Sequence, residues 1–338
     1  MKSSVMKFGQ HAGQTVLMYT LTNQHGTRLS VLNFAGIWHE FSVLDNGARV
    51  NLLLSSPTIA GYTDNPYYIN RVIGRVAGRI KDATYHYQGQ NVVVPNNEGK
   101  NTLHGGGRGW SDTFFNVTMT SDSIMLTAKI TSKQDGFPGD LTSGIQYTLT
   151  SDDQVIVQMT GTQSVVDGVF NPTVHAYFNL GTTHDILDHT LQLASNSHLA
   201  LAEDKVPTGT LLPNSGPFDL AHDSTLRQAL TKMAHTTSEQ GFDDVFVMNK
   251  RVKNLIAILK DTASSRTIEI MSNRNGLVVF TANSMTSNMP NNHGNGHRWV
   301  AVALEPQTLP NSENIHEFGD VTLKVGETRQ EVIVYQYR

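Results

Sequence analysis

Hydrophobic and polar positions alternate along much of the chain. In the segment 124–130, Ile124, Leu126 and Ile130 fall on one face of an extended chain, whereas Lys129 falls on the other. Because successive side chains of a strand point to opposite faces, this period predicts half-buried β-strands. Three further segments also read as strands: 154–160, 255–259 and 331–337.

Turn residues separate these segments, and only one segment has a helical pattern. In 224–233, Ser224 is expected to cap a short helix, with Leu226, Leu230 and Met233 along one face. Strands that follow one another without regular helices between them predict an all-β fold, an antiparallel β-sandwich. Clusters of Gly, Asn, Asp and Pro mark the turns at 45–47, 96–99, 135–139 and 273–276.

The chain has no low-complexity linker and no repeat of fixed period. The polar signatures of interest run from its first third to its last tenth, so a site that uses all of them needs one continuous architecture. We therefore expect residues 1–338 to form one large domain.

Composition excludes several classes of function. The net charge is −4, the pI is near 6.4 and the basic residues are scattered, so neither nucleic acid nor an anionic membrane is an expected partner. With no cysteine, a disulfide framework and a thiolate metal site are impossible. The N-terminus lacks the apolar core of a signal peptide, and no segment approaches the roughly 20 apolar residues that cross a bilayer. The sequence predicts a soluble, cytoplasmic protein without a cofactor.

Two histidines stand in unusual surroundings. His175 lies among β-formers and aromatic residues in 171–180, and His104 begins a glycine-rich stretch at 104–107. Imidazole exchanges protons near neutral pH, which suits acid–base chemistry. The alternatives are a hydrogen-bonded core histidine for His175 and an exposed loop histidine for His104.

Two carboxylates accompany them. Glu305 ends an apolar strand on the same face as Trp299 and Ala303, and Pro306 is expected to end the strand's hydrogen bonding. Partial desolvation there would tune Glu305 as a base, although it could equally face solvent. Asp243 either accepts hydrogen bonds from hydroxyl groups or forms a turn with Asp244, and the sequence does not say which of the two points inward.

The arginines of 74–80 and the remaining histidines are further candidates for ligand sites. Glycines beside Arg75 and Arg79 favour an irregular segment that directs one guanidinium into a cleft. His293 and His297 have a zinc-like spacing, but their glycine-rich surroundings predict a loop rather than a helix. We expect no metal site, and we expect His184 and His189 to be surface residues of a polar turn.

Taken together, the segments resemble the galactose mutarotase (aldose 1-epimerase) family over nearly the whole chain. That resemblance implies a large antiparallel supersandwich fold and interconversion of the α and β anomers of free aldoses such as galactose and glucose. It also implies that Glu305 is the base, that His175 is the acid and that His104 is the second family histidine. The segments that carry the resemblance are 21–23, 31–36, 73–80, 101–106, 135–139, 171–180, 207–209, 218–219, 241–243 and 304–307.

The remaining site residues also follow from the resemblance. Arg79 and Asp243 match the family residues that hold sugar hydroxyls, and Gly78 and Gln307 are expected to line the substrate site. The family often has Asn where this chain has Gly78, and Gln in a loop where this chain has Val279. Both departures remove a hydrogen-bonding side chain and bear on sugar preference more than on reaction type.

The implied chemistry leads to further expectations. Either Trp110 or Tyr177 is expected to pack on the sugar face, and ordinary pKa values near 4.3 for Glu305 and 6.5 for His175 predict a bell-shaped pH profile. Three alternatives remain open: a non-catalytic carbohydrate-binding module, a glycoside hydrolase with Asp243 and Glu305 as paired carboxylates, and an epimerase for maltose or a sugar phosphate. The expected partner is a monosaccharide substrate, and the protein is expected to be a monomer or a homodimer.

Overall fold

The computed structural model describes residues 1–222, 224–234, 239–249 and 254–338, and strands dominate them. In chain order the strands are β1 (Lys2–His11), β2 (Gln14–Thr22), β3 (Arg28–Leu32), β4 (Trp38–Asp45), β5 (Ala48–Asn51), β6 (Val72–Ile73), β7 (Arg79–Ile80), β8 (Thr84–Tyr87), β9 (Gln90–Val93), β10 (Thr102–Leu103), β11 (Asn116–Met119), β12 (Ser123–Ile130), β13 (Asp140–Leu149), β14 (Gln154–Ser164) and β15 (Gly168–Val169). They continue with β16 (Thr173–Val174), β17 (Tyr177–Phe178), β18 (His189–Leu193), β19 (Ser195–Leu201), β20 (Pro207–Pro213), β21 (Asp243–Met248), β22 (Leu255–Asp261), β23 (Thr267–Ser272), β24 (Gly276–Phe280), β25 (Pro290–Asn291), β26 (Gly294–Asn295), β27 (Val302–Gln307), β28 (Thr322–Leu323) and β29 (Thr328–Tyr337). The α-helices are α1 (Ala60–Thr63), α2 (Ser132–Asp135) and α3 (Leu226–Met233), with 3₁₀ turns at Lys81–Ala83, Trp110–Asp112, Gly216–Phe218 and His316–Phe318.

Two large antiparallel sheets organise the described residues. One has eight strands in the order β11-β12-β13-β14-β29-β23-β22-β18, and the other has six in the order β17-β27-β24-β21-β19-β20. A five-stranded sheet, β1 to β5 in sequence order, adds to them. The prediction of an all-β antiparallel architecture is confirmed.

The core lies between the two large sheets. Its main cluster of buried side chains combines Leu126 and Ile333 of the eight-stranded sheet with Phe178, Leu277 and Leu304 of the six-stranded sheet. Each fully buried side chain of this kind contributes about 1.5–3 kcal/mol relative to its exposed state. The period-two pattern therefore faces the core as predicted, and the sheets pack as a sandwich.

Helix α3 forms where the sequence predicted it, but its cap is different. Thr225, not Ser224, is the N-cap, because its hydroxyl accepts a hydrogen bond from the Gln228 backbone N–H. The Gln228 side chain in turn accepts from the Thr225 N–H at 3.2 Å, which completes a capping box. Leu226, Leu230 and Met233 are buried along one face, as expected. No helix among the described residues is long and apolar enough to cross a membrane.

The segment between β6 and β7 is fixed by a buried ion pair. The Arg75 guanidinium donates two hydrogen bonds to Asp135, at 2.7 and 3.1 Å, and both side chains are fully buried.

Gly74, in the same segment, lies against the indole of Trp110, and a Cβ at position 74 would come within 2.5 Å of that ring. Trp110 is consequently a fully buried core residue.

The expectation that His189 lies on the surface is wrong. His189 is 1% exposed, begins strand β18 and accepts a hydrogen bond from the Leu180 N–H at its Nε2. His184 is exposed, as expected. In the sheet His189 lies opposite Asp261, which is also buried, so the polar residues that precede His189 in the sequence did not indicate its burial.

Candidate active site

A cleft of about 500 Å³ opens over the six-stranded sheet. It gathers residues that lie far apart in the sequence, from Pro66 before β6 to Pro310 after β27. All seven side chains and backbone positions that the sequence singled out for the site line this one cleft: Gly78, Arg79, His104, His175, Asp243, Glu305 and Gln307.

The register of four neighbouring strands builds the floor of the cleft. One row across β17, β27, β24 and β21 consists of Tyr177, Ala303, Phe280 and Asp243. In the adjacent row Glu305 lies opposite Val278. Because side chains alternate, Val279 points the other way into the core and is fully buried. The expectation that Val279 faces the ligand is therefore wrong, and Val278 takes that place.

Glu305 is buried, with only 1% of its surface exposed. Its Oε1 lies 3.3 Å from Nε2 of His175, and its Oε2 has no hydrogen-bond partner among the described residues. Strand β27 continues through Pro306, which lies opposite Leu277, so the expected end of the strand at Pro306 is wrong. The expected alternation holds for Ala303 and Glu305, whereas Trp299 precedes the strand.

Burial shifts the pKa values of the pair in opposite directions. Desolvation raises the pKa of Glu305 well above its ordinary value; nearby Asp243 raises it further and Arg79 opposes the shift. Desolvation lowers the pKa of His175 to about 3. In a buried site the charged forms of Glu305 and His175 lose their hydration, so the neutral form of each residue is favoured. Over a broad pH range the pair therefore holds one proton.

His175 is positioned by its neighbours. Its backbone N–H donates to Arg71 O at 3.0 Å and its carbonyl accepts from Asn70 N at 3.0 Å. The imidazole stacks on Tyr177, with ring centroids 5.0 Å apart and planes 15° apart. Tyr177 is fixed in turn, because its hydroxyl donates to the backbone carbonyl of Tyr67 at 2.9 Å. The ring of His175 thus has a defined orientation toward Glu305.

His104 has a defined tautomer. The backbone N–H of Gly78 donates a hydrogen bond to the ring nitrogen Nδ1 of His104 at 3.2 Å. The backbone N–H of His104 donates to the carbonyl oxygen of Gly78 at 3.0 Å. An imidazole nitrogen that accepts a hydrogen bond carries no proton, so neutral His104 is protonated on Nε2. Burial lowers the pKa of His104 well below its ordinary value. His104 can therefore donate a hydrogen bond from Nε2 without being charged.

The same hydrogen bond bears on metal binding. His104, His175 and Glu305 bring potential ligand atoms within 4.8 Å of one another. However, a histidine ligand needs a free nitrogen lone pair, and the arrangement at His104 uses Nδ1 as an acceptor and Nε2 as a donor. His293 and His297 do not lie on a helix, since strands β25 and β26 occupy that region. The absence of a metal site stays a prediction.

Polar groups of the cleft wall are suited to hydroxyl groups. Arg79 donates to Glu98 at 2.5 and 2.8 Å. Asp243 faces the cleft beside them, and burial raises its pKa. Gln307 is fully buried, and neither its amide oxygen nor its nitrogen has a hydrogen-bond partner within the described residues. Buried polar groups seldom stay unpaired, which indicates a polar ligand in the cleft.

Gly78 departs from the family pattern for a steric reason. Its φ is +76°, and a Cβ there would lie 2.5 Å from Cβ of Pro310. Pro310 therefore occupies the space that a side chain at position 78 would need. The glycine at position 78 could be read from the sequence, but its contact with Pro310, 232 positions later, could not.

The structure distinguishes residues between which the sequence left a choice. Of Trp110 and Tyr177, Tyr177 reaches the cleft and Trp110 does not. Of the two adjacent aspartates it is Asp243 that lines the cleft. Glu98 and Lys205 also line the cleft but were not predicted to do so. Both lie in turn-rich segments of the sequence, where nothing except their charge marks them as site residues.

Comparison with known proteins agrees with this geometry. The family model described as "Aldose 1-epimerase" matches residues 17–336. A maltose epimerase from Levilactobacillus brevis is 37% identical over 96% of this chain and 95% of its own length. An aldose 1-epimerase from Streptococcus thermophilus is 34% identical over 100% of this chain and 99% of its own length.

A solved structure has the same fold. The aldose epimerase homologue from C. elegans superimposes with a TM-score of 0.87, at 24% identity, over 94% of this chain and 98% of its own. The family match over most of the chain, together with relatives above 30% identity along their whole length, confirms the resemblance read from the sequence. The chain belongs to the aldose 1-epimerase family and is an isomerase.

Proposed function

We propose that the protein interconverts the α and β anomers of free aldoses such as galactose and glucose. The observation that carries this proposal is the 3.3 Å contact between His175 Nε2 and Glu305 Oε1 in a buried cleft. Opening a hemiacetal requires removal of one proton and delivery of another at neighbouring oxygens. A carboxylate and an imidazole in contact supply both.

In the proposed mechanism Glu305 takes the proton of the C1 hydroxyl, and His175 delivers a proton to the ring oxygen. The C1–O5 bond breaks, and the resulting aldehyde rotates about the C1–C2 bond. The reverse transfers then close the ring on either face of the carbonyl. An acid and a base each contribute about 10²–10⁴-fold, which suffices for a reaction that water already performs slowly.

The starting protonation state is reached inside the pair. Burial disfavours both charges, since it raises the pKa of Glu305 and lowers that of His175, so before the reaction the shared proton is favoured on Glu305. Its transfer to His175 over 3.3 Å gives a carboxylate base and an imidazolium acid without exchange with solvent. The sugar's polar groups replace the missing hydration and favour this charged arrangement.

The other residues hold the sugar. His104 donates from Nε2 to the ring oxygen, where negative charge develops as the C1–O5 bond breaks. Arg79, Asp243 and Gln307 bind the remaining hydroxyls while C1 stays free to turn. Gly78 acts through His104, because its backbone N–H donates a hydrogen bond to Nδ1 and so fixes the tautomer of the imidazole.

A sugar phosphate is a poorer candidate. Such a substrate needs a cluster of uncompensated basic groups, but two of the three Lys and Arg side chains that line the cleft are paired, Arg79 with Glu98 at 2.5 Å and Lys205 with Glu239 at 2.6 Å. The third, Arg298, donates to Asn283 O at 3.0 Å and to Gln240 Oε1. A non-catalytic module would not need the acid–base pair. The hydrolase alternative is less favoured, because the family model that matches residues 17–336 is that of an epimerase.

A second candidate is mutarotation of maltose. It is favoured by one observation, namely that a relative 37% identical to this chain is a maltose epimerase. The expected cytoplasmic location and the choice between a monomer and a homodimer remain part of the proposal.

Polarimetry tests the proposed function. Freshly dissolved α-D-galactose and α-D-glucose should reach the same final rotation as without protein, but faster. Unchanged rates with both monosaccharides and with maltose would reject the proposal.

A further inference from the structure

One part of the cleft extends from the acid–base pair along the sheet toward Phe280 and Tyr67. Phe280 lies two residues from Val278 on strand β24, and Val278 is directly opposite Glu305. Two residues of a strand span about 7 Å, so Phe280 lies roughly one sugar ring away from the carboxylate. A hexose that has C1 at Glu305 and its ring along strand β24 toward Phe280 would place its far end near that residue.

Tyr67 continues the cleft past Phe280. The two rings are nearly parallel, with planes 18° apart and centroids 6.5 Å apart. The Tyr67 hydroxyl donates to Ser284 O at 2.5 Å, and its backbone carbonyl accepts from the Tyr177 hydroxyl at 2.9 Å. Tyr67 is thus held at both ends, and its ring is half-buried.

A second cavity, of about 320 Å³, adjoins the cleft at this point, because Pro66 and Tyr67 line both. Its wall carries Asp64, Thr286 and Asn288. Carboxylate, hydroxyl and amide side chains beside a partly exposed aromatic ring are the combination that binds sugar hydroxyls and a sugar's apolar face.

We propose that Tyr67 and this second cavity form a subsite for the second ring of a reducing disaccharide. The inference rests on the proposed function for the position of C1 at Glu305. In a disaccharide such as maltose the second ring is attached at the end of the first ring opposite C1. It therefore extends away from Glu305, past Phe280 and onto Tyr67.

Isothermal titration calorimetry of the whole protein with maltose and with glucose tests the subsite. Both sugar solutions are already at anomeric equilibrium, so turnover contributes no heat. We expect the unaltered protein to bind maltose about tenfold more tightly than glucose. Tyr67→Ala should remove this preference and leave glucose affinity unchanged, whereas Tyr67→Phe should retain it. Equal affinity of the unaltered protein for the two sugars, or equal losses for both in Tyr67→Ala, would overturn the proposal.

A second variant guards against misfolding. Asn288 is exposed, so Asn288→Ala should fold normally and weaken binding of maltose by about threefold without affecting glucose. If Tyr67→Ala unfolds, this variant decides, and unchanged maltose affinity would count against the subsite. Polarimetry is read separately: a protein that prefers maltose but accelerates no mutarotation would keep the subsite and lose the proposed function.

Discussion

His175 Nε2 lies 3.3 Å from Oε1 of Glu305, and both side chains are buried at the floor of the cleft. Burial lowers the pKa of His175 to about 3 and raises that of Glu305 well above its ordinary value. The pair therefore carries one proton between these two pKa values, and this one-proton state is the form that the proposed reaction uses.

The first prediction concerns the pH profile of kcat/KM, which reports the free enzyme. Below a pH of about 3, His175 gains a proton while Glu305 keeps its own, so activity falls. Above the raised pKa of Glu305 the pair loses its proton, so activity falls again. The acid limb thus belongs to His175 and the alkaline limb to Glu305, the reverse of the assignment from ordinary pKa values. An acid limb near the ordinary glutamate value would contradict this assignment.

The variant Asp243→Asn tests whether the alkaline limb of the pH profile belongs to Glu305. The negative charge of Asp243 contributes to the raised pKa of Glu305 but is not among the causes of the shift at His175. Removing it should move the alkaline limb to lower pH and leave the acid limb in place, while kcat/KM falls because a sugar contact is lost. The check is the full pH profile of the variant, and movement of the acid limb alone would refute the assignment.

The position of Gly78 yields a steric prediction. An asparagine there tolerates the positive φ of +76° better than most residues, but its Cβ would lie 2.5 Å from Cβ of Pro310. Gly78→Asn should therefore lower the free energy of unfolding by about 1–3 kcal/mol. Pro310→Gly removes the colliding atom, so the loss caused by Gly78→Asn should be smaller in a Pro310→Gly background. Urea unfolding of the unaltered protein, both single variants and the double variant measures this, and equal losses in the two backgrounds would show that the collision is not the cause.

A stability prediction follows from the buried ion pair beneath the cleft. Asp135→Ala leaves the fully buried Arg75 charge unpaired and should cost about 3–5 kcal/mol. Asp188→Ala is the matched control, because its pair with Arg227 is exposed and is worth at most about 1 kcal/mol. Equal losses of unfolding free energy in the two variants would contradict the argument from burial.

Much of the fold was predictable because period-two alternation is a local property of the sequence. The buried positions of β12 and the apolar face of α3 follow from it directly. The cap of α3 was also readable, since Thr225 followed three residues later by Gln228 is a capping-box pattern. Ser224 is an equally common N-cap residue, but Arg227 three residues later cannot complete a capping box.

The errors at the site have a different origin. Which of Val278 and Val279 faces the ligand depends on strand register, and a shift of one residue reverses every side chain. The burial of Trp110 depends on its contact with Gly74, and the pKa shifts of His175 and Glu305 depend on packing. None of these long-range contacts can be read from neighbouring residues.

The most direct test of the acid–base pair is exchange NMR on equilibrated galactose or glucose, following magnetisation transfer between the α and β H1 signals. The unaltered protein should accelerate this exchange, and Glu305→Gln should slow it by about 10²–10⁴-fold while sugar binding persists. Glu313→Gln is the matched control: Glu313 is also buried, and burial raises its pKa to about 7, but it lies outside the cleft. It should leave the exchange rate unchanged. Exchange in Glu305→Gln as fast as in the unaltered protein would contradict the proposed role of Glu305.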